Sequence, residues 1–233
     1  MNTRRAPKLD NRLQQLIEMI CEWTPRGSVH LDIGSDHGGL LQELLRRSHV
    51  ARGIAVEINE QPFQNSCQQL AGSPVDVRRG DGLQVVASGE MESLSISGMG
   101  GRTMTQVLST GEEKLCDALF LQPNKDVHRV RQWAYERRWQ LVEERLTHDL
   151  FVLLAFCRSN EMDPVYEGIP AEVAFHFGPR LLREQCPVLR ARLEEESSYY
   201  MALASVSESA RARCTLLDHA LSAFDGQSSD APA

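Results

Sequence analysis

The sequence predicts an α/β fold: a mainly parallel, seven-stranded sheet with helices on both faces and a C-terminal antiparallel hairpin, followed by a small α-helical domain. Three observations predict it. Short β-rich runs alternate with segments of helical period from the N-terminus to Asn160. The last two β-rich runs have no helix between them, so one of them must run antiparallel. Beyond Asn160 the strands cease and long helical patterns take over.

Each element has its own signal. Leu9, Leu13, Leu16, Ile17 and Ile20 lie on one face of a helix that Pro25, Arg26 and Gly27 end. Ser28 to Ile33 is a strand stopped by Gly34, and Leu40, Leu41, Leu44 and Leu45 give the next helix. Gly53 to Glu57 is a strand, and Pro62 to Ala71 a helix with proline in its first turn. Val75 to Arg78 is a strand, and Leu83 to Ala87 a short helix. Ser93 to Ser97 is a strand broken by Gly98-Met99-Gly100-Gly101, with a helix over Thr103 to Leu108. Ala118 to Leu121 is a strand ending at Gln122-Pro123-Asn124, and Val127 to Arg137 a helix. Gln140 to Leu146 and Leu150 to Arg158 form the hairpin, turning at Thr147-His148-Asp149.

Met162 to Ala171 is punctuated by proline and glycine and reads as a linker. Gly178-Pro179 opens a helical stretch. Pro187 to Ala204 and Glu208 to Phe224 then form a helical pair, with Ser205-Val206-Ser207 as break and cap. Its seam would use Leu189, Leu193, Tyr200 and Leu203 against Ala210, Leu217, Leu221 and Phe224. The expected domains are 1–160 for the sheet domain and 161–225 for the helical, coiled-coil-like one. A small, polar tail over 226–233 is expected to be disordered.

Bulk properties narrow the function. The 233 residues are 42% hydrophobic and 24% charged, as in soluble globular proteins. The basic, polar segment Met1 to Asp10 is no signal peptide, and the longest apolar run, Leu150 to Cys157, is too short for a bilayer. None of the six cysteines forms a CxxC pair, which predicts buried thiols in a reducing compartment and no metal site. A cytoplasmic protein is expected, not bound to a membrane, with a monomer favoured. The net charge of −7 is uneven: residues 161–233 hold 6 Arg against 12 Asp and Glu, a net of −6. Only 3 of the 25 basic residues are lysines, and arginine's planar fork suits phosphates and stacked bases.

The chemistry gathers at strand ends. Asp32, Gly34 and Ser35 sit where a strand enters a glycine turn before a helix. Gly34 admits a ligand close to the backbone, the helix N-terminus suits a carboxylate, and Asp32 suits an ammonium. The spacing GxxxGG lacks the second glycine of a dinucleotide fingerprint, which disfavours NAD. Glu57, followed by Ile58, can accept two ribose hydroxyls, and Asp81, beside Gly82, can accept an adenine amino group. Because the three acids follow successive parallel strands, they should face one crevice. Gly98, Met99 and Gly100 offer a backbone that a flat ligand can approach, and Asn124, Asp36 and His37 are candidates for the reacting group's surroundings. The Asn/Asp-Pro-Pro-aromatic motif of many amino-methylating enzymes is missing after the fourth strand.

Asp32-Ile33-Gly34-Ser35-Asp36-His37, Gly80-Asp81-Gly82, Gly98-Met99-Gly100-Gly101, Leu121-Gln122-Pro123-Asn124 and Arg131-Gln132-Trp133 together resemble the TrmK-like tRNA (adenine(22)-N1)-methyltransferases over nearly the whole chain. The resemblance implies a Rossmann-like class I methyltransferase fold, with S-adenosyl-L-methionine as methyl donor and S-adenosyl-L-homocysteine as product. It also implies methyl transfer to N1 of an adenine in tRNA. Arg46, Arg47, Arg102, Arg129, Arg131, Arg137 and Arg138 are then candidate phosphate contacts. Two departures stand out. The family's Ser-Asp-His-Ala-Tyr-Leu-Pro is Ser35-Asp36-His37-Gly38-Gly39-Leu40-Leu41 here, and its hairpin Tyr-Glu is Phe151-Val152. The alternatives are a methyltransferase of the same fold acting on a small molecule or protein, and a donor-binding module without transfer.

Overall fold

The computed structural model describes residues 9–225. Residues 226–233, expected to be disordered, lie outside the described residues. The strands are β1 (Ser28–Ile33), β2 (Val50–Glu57), β3 (Val75–Arg79), β4 (Ser93–Gly100), β5 (Ala118–Lys125), β6 (Trp139–Leu146) and β7 (Val152–Arg158). They form one sheet in the order β3-β2-β1-β4-β5-β7-β6. β1 to β5 are parallel, and β7 runs antiparallel between β5 and β6. The chain leaves β1 for β2 and β3 on one side and returns to β4 and β5 on the other. That reversal opens a crevice at the carboxyl edge between β1 and β4.

Helices cover both faces because the strands alternate. Leu31, Ile33, Leu94, Ile96, Leu119 and Leu121 pack with Met104, Leu108, Val130 and Trp133, from α4 (Gly101–Thr110) and α5 (Val127–Glu136). On the other face Ala55, Phe120, Leu153 and Ala155 pack with Leu16, Ile17, Leu40, Leu41 and Leu44, from α1 (Asn11–Trp23) and α2 (Gly39–Arg46). α1 starts at Asn11, two residues after Leu9, because the Asp10 carboxylate accepts from the Leu13 N–H at 2.7 Å as a side-chain cap. α3 (Glu60–Gln69) completes the crossovers.

Several boundaries differ from expectation. β4 and β5 do not stop at Ser97 and Leu121. They stay paired to Gly100 and Lys125 through register shifts at Ser97/Met99 and Met99/Gly100, with Gly98 at φ +79° absorbing the extra residue. The expected helix at Leu83 is a single 3-10 turn, Gly82–Val85. The expected linker is packed structure. The Asp163 carboxylate accepts from the Leu141 N–H at 2.7 Å and from the Val165 N–H at 3.0 Å, and Tyr166 is buried against Tyr135.

An unforeseen helix, α6 (Ala171–Phe177), follows and buries Val173, Ala174 and Phe177. Proline and glycine here cap and orient short elements rather than free the chain. α7 (Pro179–Arg183), α8 (Pro187–Leu203) and α9 (Glu208–Asp225) share a third core with α6, built on Leu181, Leu182, Leu193, Leu217 and Phe224. Ser207 caps α9 as expected, accepting from the Ala210 N–H. Leu203, expected in the seam, is 36% exposed at the far end of α8.

Candidate functional site

Asp32 is the last residue but one of β1 and is only 2% exposed. Its Oδ1 accepts from the Ser95 hydroxyl on β4 at 2.6 Å. Burial pushes its carboxyl above the usual range, and the Ser95 and Ser35 hydroxyls pull the other way. No cationic side chain pairs with Asp32 among the described residues. A desolvated carboxylate held by the Ser95 hydroxyl keeps acceptor capacity that a small cation could use.

The turn beyond is tight. Gly34 has φ +72°, so the turn itself calls for glycine, and the only atom a Cβ there would meet closely is the movable end of Met99, Cε at 2.8 Å. The helix does not start directly after Gly34. A 3-10 turn, Asp36–Gly38, comes first, and α2 begins at Gly39. His37 is exposed with φ 73°, a left-handed conformation that non-glycine residues rarely adopt, in the turn flanking the crevice.

The three acids are stepped rather than level. Asp32 pairs with Ala55, so Glu57 lies two residues nearer the rim on the same face. Glu57 pairs with Arg79, and Asp81 follows two residues later. Glu57 is buried, while its neighbour Ile58 is 57% exposed and offers an apolar surface at the rim. Asp81 is exposed and accepts from Gln84 Nε2 at 3.3 Å. It borders a cavity of about 120 Å³ with Leu83, Gln84, Thr103 and Val107. Gly82 has φ +52° and would strike Val107 if it carried a Cβ. The rim thus presents two buried acids, Asp32 and Glu57, then the exposed apolar side chain of Ile58, and an outer acid, Asp81, beside a small hollow.

Across the crevice, β4 and β5 are tied by the candidate Asn124 together with Gln122 and Arg12, which sequence reasoning gave no role. Gln122 is fully buried. Its Oε1 accepts from the Gly98 N–H at 3.1 Å and from Arg12 Nη1 at 2.8 Å. Its Nε2 donates to Asn124 Oδ1 at 3.1 Å, and Asn124 Nδ2 donates to the Gly98 carbonyl at 2.6 Å. Arg12 also lies over the Phe151 ring at 5.2 Å. Asn124 is therefore held at the crevice, exposed, with one amide hydrogen left to donate. Gln122 stood in the quoted motif, so its signal was available. Arg12 lies on the polar side of α1 and gave none.

The arginines divide. Arg102 and Arg129 are exposed on one surface with Trp133. Arg46 and Arg47 share Glu43, at 2.6 and 2.8 Å. Arg137 pairs with Glu112 and stacks on Trp133, and Arg138 donates to the Asn160 carbonyl. Arg131 cannot contact phosphate. It is 1% exposed, donates to Glu144 at 2.7 Å and to the Phe175 and His176 carbonyls at 2.7 and 3.2 Å. It lies on the inward face of α5 beside Val130 and Ala134 and ties that helix to α6. Next to Asn124 a crevice of about 310 Å³ runs between β5, α5 and the C-terminal helices, lined by Lys125, His128, His176, Arg192 and Arg213 among others. The His128 and His176 rings stack there at 4.7 Å. No helix among the described residues is long and apolar enough to cross a membrane.

A model of the family described as TrmK, tRNA (adenine(22)-N(1))-methyltransferase, matches residues 30–225. A tRNA (adenine(22)-N(1))-methyltransferase of Bacillus subtilis (strain 168) is 31% identical over 202 residues, 82% of this chain and 84% of its own. The crystal structure of the B. subtilis M1A22 tRNA methyltransferase TrmK superposes with a TM-score of 0.78 at 30% identity, covering 94% of this chain and 98% of that one. Streptococcus pneumoniae Sp1610, solved in complex with S-adenosyl-L-methionine, gives a TM-score of 0.77 at 24% identity, covering 92% and 100%. At that identity it speaks for the shared fold alone.

Proposed function

The chain belongs to the TrmK family of tRNA (adenine(22)-N(1))-methyltransferases, and from that premise we propose that it transfers the methyl group of S-adenosyl-L-methionine to N1 of an unpaired adenine in tRNA. The observation that carries the reading is Asp32, a buried carboxylate at the sheet's switch point that accepts from the Ser95 hydroxyl and has no cationic partner among the described residues. It suits the donor's ammonium. Glu57 suits the ribose hydroxyls, Ile58 the purine face and Asp81 the purine amino group. Ser35, Gly82 and the backbone of Gly98, Met99 and Gly100 complete the cradle.

When bound, S-adenosyl-L-methionine supplies an electrophilic methyl on a sulfonium. Transfer would join that methyl to the adenine N1 lone pair with the C–S electrons returning to sulfur, giving a cationic 1-methyladenine that stays in the tRNA and S-adenosyl-L-homocysteine as the leaving group. N1 is unprotonated at neutral pH, so no strong base is needed, and the protein's work is alignment and exclusion of water. Asn124, fixed by Gln122 and Gly98, has an amide hydrogen to offer the base edge. His37, exposed in the turn after Gly34, is the candidate of that turn for the acceptor's surroundings, while the side chain of Asp36 lies outside what the structure describes. The target must leave its stack to enter, which costs a few kcal/mol.

We assign residues 1–160 to catalysis and 161–225 to gripping the tRNA, through Arg192 and Arg213 on the crevice side of an otherwise acidic unit. Cytoplasmic residence fits a tRNA substrate and six cysteines that are all free. The test is transfer of label from S-adenosyl-L-methionine to unmodified bulk tRNA, with the product nucleoside mapped. Label in 1-methyladenosine supports the reading. Label on protein or small molecules alone, or donor binding without transfer, overturns it.

A further inference from the structure

Beneath the site runs a buried chain of hydrogen bonds that the reaction outlined above leaves unused. His30 and Asp32 on β1 pair with Ser93 and Ser95 on β4, so the four side chains share one face. All four are buried. Ser95 Oγ lies 2.6 Å from Asp32 Oδ1, His30 Nε2 lies 2.9 Å from Ser95 Oγ, and Ser93 Oγ lies 2.7 Å from His30 Nδ1.

The proton positions follow by elimination. An ionised Asp32 only accepts, so Ser95 gives it its hydroxyl hydrogen. Ser95 Oγ must then accept from the His30 Nε2–H. A neutral imidazole carries one N–H, so Nδ1 is bare and accepts from Ser93. Burial, with His49 nearby, pushes His30 down to about 3, which keeps it neutral near pH 7. Every hydrogen in the chain points toward Asp32.

This arrangement is costly as mere structure. The same face packs Leu16, Ile17, Leu41 and Phe120, and apolar side chains there would need no partners. What the chain secures is one oxygen of Asp32, hence the direction in which the carboxylate presents its charge. We propose that His30 and Ser95 are positioning residues that orient Asp32 toward the ammonium of the methyl donor. This rests on the assignment of Asp32 under the proposed function.

The test is calorimetric titration of the full chain with S-adenosyl-L-homocysteine, alongside steady-state kinetics and thermal melts. Ser95→Ala and His30→Phe should each weaken binding by about tenfold, as for a lost hydrogen bond to a charged group. KM for the donor should rise while kcat at saturation stays within about twofold. His30→Gln places an amide N–H near the position of Nε2 and should recover most of the affinity, even if its melting temperature falls as far as that of His30→Phe. Equal affinity losses in His30→Gln and His30→Phe, or lower melting temperatures with unchanged affinity, would overturn the proposal. Asp32→Asn separates the two levels. If wild type does not bind, or Asp32→Asn binds like wild type, the donor reading falls and the relay with it. If Asp32→Asn weakens binding while Ser95→Ala and His30→Phe do not, only the relay falls.

Discussion

The β1–β4 edge and the joint between α5 and the C-terminal helices both bury charge, but by opposite means. At the edge, Asp32 is held by hydroxyls, with no countercharge among the described residues. At the joint, Arg131 and Glu144 neutralise each other at 2.7 Å. Neutral groups brace the pair: Arg131 donates to the carbonyls of Phe175 and His176, and Glu144 accepts from the Leu181 N–H. Gly178 shows how closely that joint is packed, since with φ +95° its Cβ would lie 2.6 Å from Glu144 Oε2. A paired charge serves the architecture, whereas the acid without a cation is the proposed binding group. The difference separates two kinds of buried charge that composition alone treats as the same.

Removing one partner at the joint should produce the largest effect. Glu144→Ala leaves the Arg131 guanidinium buried and uncompensated, which typically costs about 3–5 kcal/mol. Denaturant unfolding should register that loss, with Asp32→Asn changing stability far less. If Glu144→Ala unfolds at the wild-type midpoint, the joint does not hold the helices and the comparison breaks. Replacing both members with Arg131→Met and Glu144→Leu should recover much of the stability, because no charge is then stranded.

The second effect lies at the donor edge. Asp81→Ala should weaken S-adenosyl-L-homocysteine binding by about 1–3 kcal/mol through loss of one acceptor for the purine amino group. Its unfolding midpoint should hardly move, since Asp81 is exposed and, among the described residues, its carboxylate accepts from Gln84 alone. Unchanged affinity by calorimetry would remove Asp81 from the site and leave the 120 Å³ hollow beside it without a purine.

The two regions also differ in how they are written in the chain. The proposed donor edge is local: Asp32 to Gly39, Glu57-Ile58 and Gly80-Asp81-Gly82 each sit at one strand's end, so sheet order and glycine turns were enough to propose them. The acceptor side is assembled from distant parts. Arg12 reaches Gln122 across 110 positions, and Arg131 reaches the Phe175 carbonyl across 44. No local pattern encodes either contact. Gly98 and Pro123 read as breakers, yet β4 and β5 run through them, because a bulge lets pairing resume where local propensity argues against it. The segment from Met162 to Ala171 read as a linker for a similar reason: its order comes from Asp163 capping the Leu141 N–H of another strand.

The smallest effect is the sharpest separator, because it compares neighbours. Arg129 and Arg131 stand two residues apart on α5, and sequence alone assigned both to RNA. Two positions on a helix are about 200° apart, so one faces solvent when the other faces the core. Arg129 is exposed, and Arg131 is sealed against Glu144. Arg129→Ala should therefore leave unfolding untouched. It should lower tRNA affinity modestly and reduce the slope of log affinity against log salt by about one, the mark of a single phosphate contact. Arg131→Ala should instead lower stability, with the salt slope unchanged in whatever protein remains folded. An Arg129→Ala variant with the wild-type salt slope would take α5 off the RNA path and shift the phosphate contacts to Arg192 and Arg213 across the crevice.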